Sequence, residues 1–249
     1  MQRFLPTQAI KASVTAGEDA DRDDCGRAKA EGGRANDASG QAKKEKVARR
    51  YDSWSRWYDV VDSSGGKAQE RWRRMAVDAL EIHAGDVVVD LGTGTGAILP
   101  WVLEKGGVPV AVDISRKMLV KASGRAPGTV AVLGDLERLP LADGSVPKVI
   151  ATFTLTTVPD PEAFVREAAR ILAPGGTFAL LDTGPPKKKS YRPVHALMSG
   201  SARVAGYTHI DREPEPILAK VPELGMESEK RMYGSMVYLY VLKKKNVDE

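Results

Sequence analysis

One stretch constrains this chain more than any other: Val87-Val88-Val89-Asp90-Leu91-Gly92-Thr93-Gly94-Thr95-Gly96-Ala97. Its β-branched half reads as a buried strand, and Ala97 to Lys105 reads as a helix in which Pro100 is tolerable only in the first turn. The alternating glycines therefore occupy a strand-to-helix turn. Missing side chains let such a backbone pass close to a ligand, and the helix N-terminus beyond it offers free N–H groups.

The alternation of short apolar runs with helical stretches continues down the chain. Strands are predicted at Asp86 to Leu91, Val108 to Asp113, Val130 to Leu133, Val149 to Phe153 and Thr177 to Asp182. Between them fall helices, one capped by Ser115 and ending near Gly124, another over Glu162 to Leu172. Gln69 to Ile82 forms a helix ahead of the glycines, with Trp72, Met75, Ala76, Val77 and Leu80 inward and Arg71, Arg73, Arg74 and Asp78 available to solvent. Near-continuously apolar strands separated by helices give a parallel sheet covered on both faces, a doubly wound α/β fold. Met226 to Met232 and Met236 to Lys243 are linked too closely for a parallel crossover, so they form a C-terminal antiparallel hairpin.

Composition removes several other classes. The chain has 249 residues, one cysteine and three histidines, which rules out an intrachain disulfide and leaves no cluster at metal-ligand spacing, so no metal is expected. No run reaches the roughly 18 apolar residues of a membrane span. The excess of 37 basic over 33 acidic residues is small, and the lysine triplets at 187–189 and 243–245 stand apart, so no nucleic-acid partner is expected. Between Thr15 and Lys46 no Ile, Leu, Val, Met, Phe, Tyr or Trp occurs, so residues 1–42 read as a disordered extension and 43–249 as the folded domain. Cytoplasmic residence is the default, with organellar import left open by the scarcity of acids before Glu18.

The glycine spacing alone leaves two cofactors in contention. Gly92-x-Gly94-x-x-Ala97 satisfies the dinucleotide fingerprint, with Asp113 at about the distance for gripping a ribose hydroxyl. Asp90 weighs the other way, because a carboxylate beside the turn repels a pyrophosphate and attracts a ligand carrying an ammonium group, as S-adenosylmethionine does.

With these motifs the chain resembles the class I S-adenosylmethionine-dependent methyltransferases, in the branch of ubiquinone/menaquinone-biosynthesis C-methyltransferases and phospholipid N-methyltransferases. That resemblance implies a Rossmann-like sheet of seven mostly parallel strands. It also implies that Asp90 and the turn of Gly92, Thr93, Gly94 and Gly96 hold the methionine moiety. Asp113 then binds both ribose hydroxyls, with Ile114 and Met118 beside the adenine, and Asp135 next to Leu136 accepts from the adenine amino group. Phe153 and Thr154 line the transfer cleft, and Tyr51 and Tyr58 belong to an N-terminal helix closing over the cofactor. Pro174-Gly175-Gly176 matches the turn into the fifth strand. Two departures stand out: Val146-Pro147-Lys148 where the family has Phe-Asp, for which a local edge effect is expected, and Pro222, which shortens or kinks the last helix.

Transfer of a methyl group from a sulfonium needs alignment and a dry pocket more than acid–base groups. A cap at about 183–212 supplies Tyr191, His195 and His209 as weak candidates for a general base, with Tyr207 and Asp211 nearby. Its apolar residues Val194, Ala196, Leu197, Met198 and Val204, beside Lys187 to Lys189 and Arg192, suit a small-molecule or lipid-like acceptor, a quinone precursor or phospholipid amine, and peripheral membrane contact. Two other readings remain at this stage, a nicotinamide-dependent oxidoreductase and a non-catalytic cofactor-binding protein.

Overall fold

The structure is a computed structural model that describes residues 66–205 and 209–246. The expected extension at 1–42 and the helix carrying Tyr51 and Tyr58 lie outside the described residues. Helix α1 (Gly66–Asp78) leads into β1 (Val87–Leu91), α2 (Leu99–Glu104), β2 (Val108–Asp113), α3 (Arg116–Arg125), β3 (Val130–Leu133), β4 (Val146–Thr152), α4 (Pro161–Ile171) and β5 (Leu172–Thr183). A short 3-10 turn (Lys189–Tyr191), α5 (Arg192–Ala205), α6 (Pro214–Leu218), β6 (Leu224–Met232) and β7 (Val237–Lys244) complete the described chain.

The strands form a single seven-stranded sheet in the order β3-β2-β1-β4-β5-β7-β6. β1 to β5 pair in parallel, while β7 inserts antiparallel between β5 and β6. All five residues of β1 are buried, as a strand covered on both faces requires. Val87, Val89 and Leu91 join Phe164, Val165 and Tyr240 on one side of the sheet. Val88 joins Ala76, Leu80, Leu99 and Leu119 on the other. Each fully buried Val or Leu contributes about 1.5–3 kcal/mol, so the two apolar layers account for most of the fold's cohesion.

Strand order reverses between β1 and β4: the chain runs outward through β2 and β3, then returns to lay β4 on the other side of β1. A crevice opens at the carboxyl ends of strands at such a switch point. Here those ends deliver Gly92 and Phe153.

Three expectations are corrected. Arg73 is only 7% exposed, not solvated, because α1 turns it inward over the Phe153 ring, its guanidinium carbon 5.3 Å from the centroid. Pro174-Gly175-Gly176 lies inside β5, not ahead of it. The pairing jumps from Val146↔Leu172 to Lys148↔Thr177, so the segment bulges, and a Cβ on Gly176 would lie 2.8 Å from the Ala173 carbonyl oxygen. Pro147, expected at the first position of its strand, is the second residue of β4 and sits opposite that bulge; the interrupted pairing there is what accommodates a residue without an N–H. α6 is five residues long and ends before Pro222, as the proline predicts.

Candidate active site

The glycine turn follows β1 directly. Gly92, Gly94 and Gly96 all adopt positive φ (73°, 53° and 76°), the left-handed region that glycine enters without steric cost. Their neighbours differ. A Cβ on Gly92 would meet the Thr154 side chain at 2.6 Å, whereas one on Gly96 would meet the Cα of Ala122 in α3 at 2.8 Å. Gly92 thus keeps the cleft wall open, and Gly96 allows α3 to approach the turn.

The cleft beside the turn spans about 640 Å³ including its open mouth. Gly92, Gly94, Asp113, Ile114, Met118, Asp135, Leu136, Phe153 and Thr154 line it, bringing together most of the residues singled out from the sequence. Sequence reasoning missed Glu137, Thr157, Val158 and Pro159, which complete the wall. Thr157 to Pro159 follow the end of β4, so their position at the switch point was the available signal.

Polar groups fix the wall. Asp113, the last residue of β2, accepts from the Gly94 N–H at 2.9 Å and from the Ser115 N–H at 2.8 Å. Ser115 in turn caps α3, accepting from the Met118 N–H at 3.3 Å. Asp135 accepts from the Glu137 N–H at 2.9 Å and so shapes the turn carrying Leu136. Thr154 donates to the Leu91 carbonyl at 3.0 Å, tying the β4 exit to the β1 exit, and Phe153 beside it holds a left-handed φ of 58°. A bulky residue rarely adopts that conformation; here Phe153 lines the cleft with its ring against the Arg73 guanidinium.

A smaller recess behind the turn is lined by Asp90, Thr93, Thr95, Thr152 and Arg73, among others. Thr93 donates to Asp90 Oδ2 at 2.6 Å, while Oδ1 is buried with no hydrogen-bond partner, as is Thr95 Oγ1. Burial raises the Asp90 carboxyl to about 7; the Thr93 bond and the Arg73 charge act against that shift. A buried acid and a buried guanidinium on one recess make it complementary to a zwitterion.

The three weak candidates for a general base line neither cavity. His195 is buried, Nε2 2.9 Å from the Ile210 carbonyl oxygen and Nδ1 3.4 Å from Ser199 Oγ, and so braces α5 against the following segment. His209 is exposed, and its backbone N–H donates to the Thr156 carbonyl at 2.8 Å. Tyr191 packs its ring against Gly234. Asp182, at the end of β5, is fully buried and is raised to about 6 by that burial, against opposing bonds from Thr183 and Thr156.

A parallel sheet reversing at β1 and β4, a glycine turn at the reversal and an antiparallel seventh strand define the Rossmann-like methyltransferase class. The methyltransferase-domain family matches residues 89–180. The chain is 35% identical to a demethylmenaquinone methyltransferase of Mycolicibacterium vanbaalenii over 161 residues, 64% of this chain and 70% of that one. It is 31% identical to the protein of the same name from Paenarthrobacter aurescens over 181 residues, 72% of each chain. Among solved structures, a chain of the complex between the Haloferax volcanii Trm112 methyltransferase activator and a methyltransferase superposes with a TM-score of 0.64 at 21% identity, covering 79% of this chain and 98% of that one.

The chain belongs to the class I S-adenosylmethionine-dependent methyltransferase family and is an enzyme of that kind. Within the family it is similar to the demethylmenaquinone methyltransferases, and the nicotinamide-dependent reading of the glycine turn is set aside.

Proposed function

We propose that this enzyme methylates a ring carbon of a quinone precursor, of the type named in its relatives, with S-adenosylmethionine held across the two cavities. One observation carries the placement: the recess beside the glycine turn pairs a buried, unbonded Asp90 oxygen with a buried Arg73 guanidinium. An α-amino acid end group presents an ammonium and a carboxylate, and these two side chains match them in sign. In this reading Asp113 takes the ribose hydroxyls and Asp135 the adenine amino group, with Ile114, Met118 and Leu136 as apolar walls; that all five line one cleft supports it.

When bound, the cofactor supplies an electrophilic methyl group on a sulfonium. The protein's part is alignment and exclusion of water, which in favourable intramolecular models amounts to about 7–11 kcal/mol. Thr154, pinned to β1 through the Leu91 carbonyl, and Phe153, whose N–H donates to the Leu181 carbonyl of β5, set the side from which the acceptor approaches. Val158 and Pro159 make that side apolar, which suits an aromatic ring.

The test compares S-adenosylhomocysteine with 5′-methylthioadenosine, which lacks the amino-acid end, by calorimetry on the wild type and Arg73→Met. The wild type should prefer the former, and the variant should lose about tenfold or more of that affinity with little change for the latter. Equal losses for both ligands would remove Arg73 from the carboxylate. Acceptor identity is tested separately, by turnover on reduced naphthoquinone precursors against phospholipid amines; methylation of the amine alone would overturn the quinone assignment.

A further inference from the structure

Among the described side chains of α5 the polarity is inverted. Its buried residues His195 and Ser199 are polar and bond inward, whereas Val194 and Leu197, three positions apart, are 54% and 77% exposed. Beside them Tyr191 is 40% exposed and rests on Gly234, which places the hairpin tip and its 65% exposed Tyr233 next to this face. A helix that only covered a core would show the opposite pattern.

Charge says what this face fits. Lys188, Lys189 and Arg192 are exposed and enter no ion pair with described residues. Lys187, by contrast, is tied to Glu229 at 2.8 Å and Glu215 at 3.4 Å. Apolar side chains bordered by free cations and tyrosines match the boundary between acyl chains and anionic headgroups.

We propose that α5 and the basic turn before it dock the enzyme on the anionic surface of a lipid bilayer. The cleft is mechanically joined to this face. His195 holds the Ile210 carbonyl at 2.9 Å, and Arg212, two residues on, donates to the carbonyls of Leu155 (2.7 Å) and Val158 (2.6 Å), the latter a cleft residue. Docking would therefore bring the cleft close to a lipid-like acceptor. In this respect the inference deepens the quinone reading and rests on it for its purpose.

The experiment is flotation of the full chain with vesicles of phosphatidylcholine alone and of phosphatidylcholine mixed equally with phosphatidylglycerol, with no acceptor present. Binding to the anionic vesicles is expected, weakening with salt. Val194→Ser/Leu197→Gln should lower the partition about tenfold or more, and Lys188→Gln/Lys189→Gln/Arg192→Gln should erase the preference for anionic lipid. Unchanged melting and S-adenosylhomocysteine affinity would show both variants to be folded. Wild-type binding equal to that of the variants overturns the proposal. So does a dimer in ultracentrifugation that Leu197→Gln dissociates without any vesicle binding, since a second copy then covers the face. Turnover on a detergent-solubilised quinol without vesicle binding overturns the docking alone, and vesicle binding without quinol turnover overturns the acceptor assignment alone.

Discussion

Asp113 splints the glycine turn to the end of β2: its Oδ2 takes the Gly94 N–H at 2.9 Å, 19 positions earlier in the chain. The other oxygen takes the Ser115 N–H, so one carboxylate orders both the turn and the start of α3. Asparagine in its place keeps one acceptor and turns an amide N–H₂ toward a second donor. Asp113→Asn is therefore expected to lose about 1–3 kcal/mol of stability and to bind S-adenosylhomocysteine more weakly. Thermal melting and calorimetry check both; wild-type values in either would show that the splint is dispensable there.

The glycines of the turn should separate by phenotype. Gly96→Ala drives a Cβ to 2.8 Å from a backbone atom of α3, which moves only with the helix, so the main loss is stability, about 1–3 kcal/mol. Gly92→Ala meets the Thr154 side chain instead, which can rotate into the cleft at the expense of its bond to Leu91. Ligand affinity should fall more than melting temperature in that variant. The reverse ranking, measured on the purified pair, would refute this division.

Much of this was legible beforehand because strand pattern and turn chemistry are local. Val108 to Asp113 emerges as the strand it was predicted to be, and Ser115 caps α3 as expected. Asp90 and Asp113 stood out because each lies at the carboxyl end of a buried apolar strand. Arg73 escaped notice through its residue type: it shares the 73, 76, 77, 80 face of the apolar residues, and arginine was assigned to water by default. The early start of β5 was hidden by Pro-Gly-Gly, which reads as a turn until Pro147 on the neighbouring strand explains the bulge. The histidines of the cap were suggestive by chemistry alone, whereas backbone placement turns His195 into a brace.

Titration of Asp90 makes both binding and stability depend on pH. Its carboxyl stands at about 7 in the folded protein against 3.8 in the unfolded chain, so the folded state holds that proton more tightly. The resulting stability is fully present below 3.8 and is lost as pH rises through about 7. Asp182 acts with the same sign up to about 6, while Glu215 and Glu229, both lowered, act against it as pH falls. A ligand ammonium needs the ionised form, so S-adenosylhomocysteine affinity should decline about tenfold per unit below pH 7. In Asp90→Asn that slope should vanish, with weaker binding above pH 7 and a higher melting temperature in the free protein; an unaltered slope would place the titrating group elsewhere.

Arg170 controls the Asp135 side of the cleft from outside it. From α4 its guanidinium donates to the carbonyls of Leu139 (3.0 Å) and Leu141 (2.8 Å) and pairs with Asp143 and Glu167, while Glu167 accepts the Leu139 N–H at 2.7 Å. The Glu167 and Asp143 bonds hold the guanidinium well above its ordinary range of protonation, so it is charged at every working pH. The loop after Asp135 and Leu136 thus hangs on one planar fork, a geometry lysine cannot reproduce. Arg170→Lys should cost about 1–3 kcal/mol, and because the loop relaxes, adenosine itself should bind more weakly while the recess at Asp90 keeps its discrimination. Calorimetry with adenosine and S-adenosylhomocysteine reads this directly: both should weaken by a similar factor, and a loss confined to the larger ligand would show that the Asp135 loop is not what Arg170 supports.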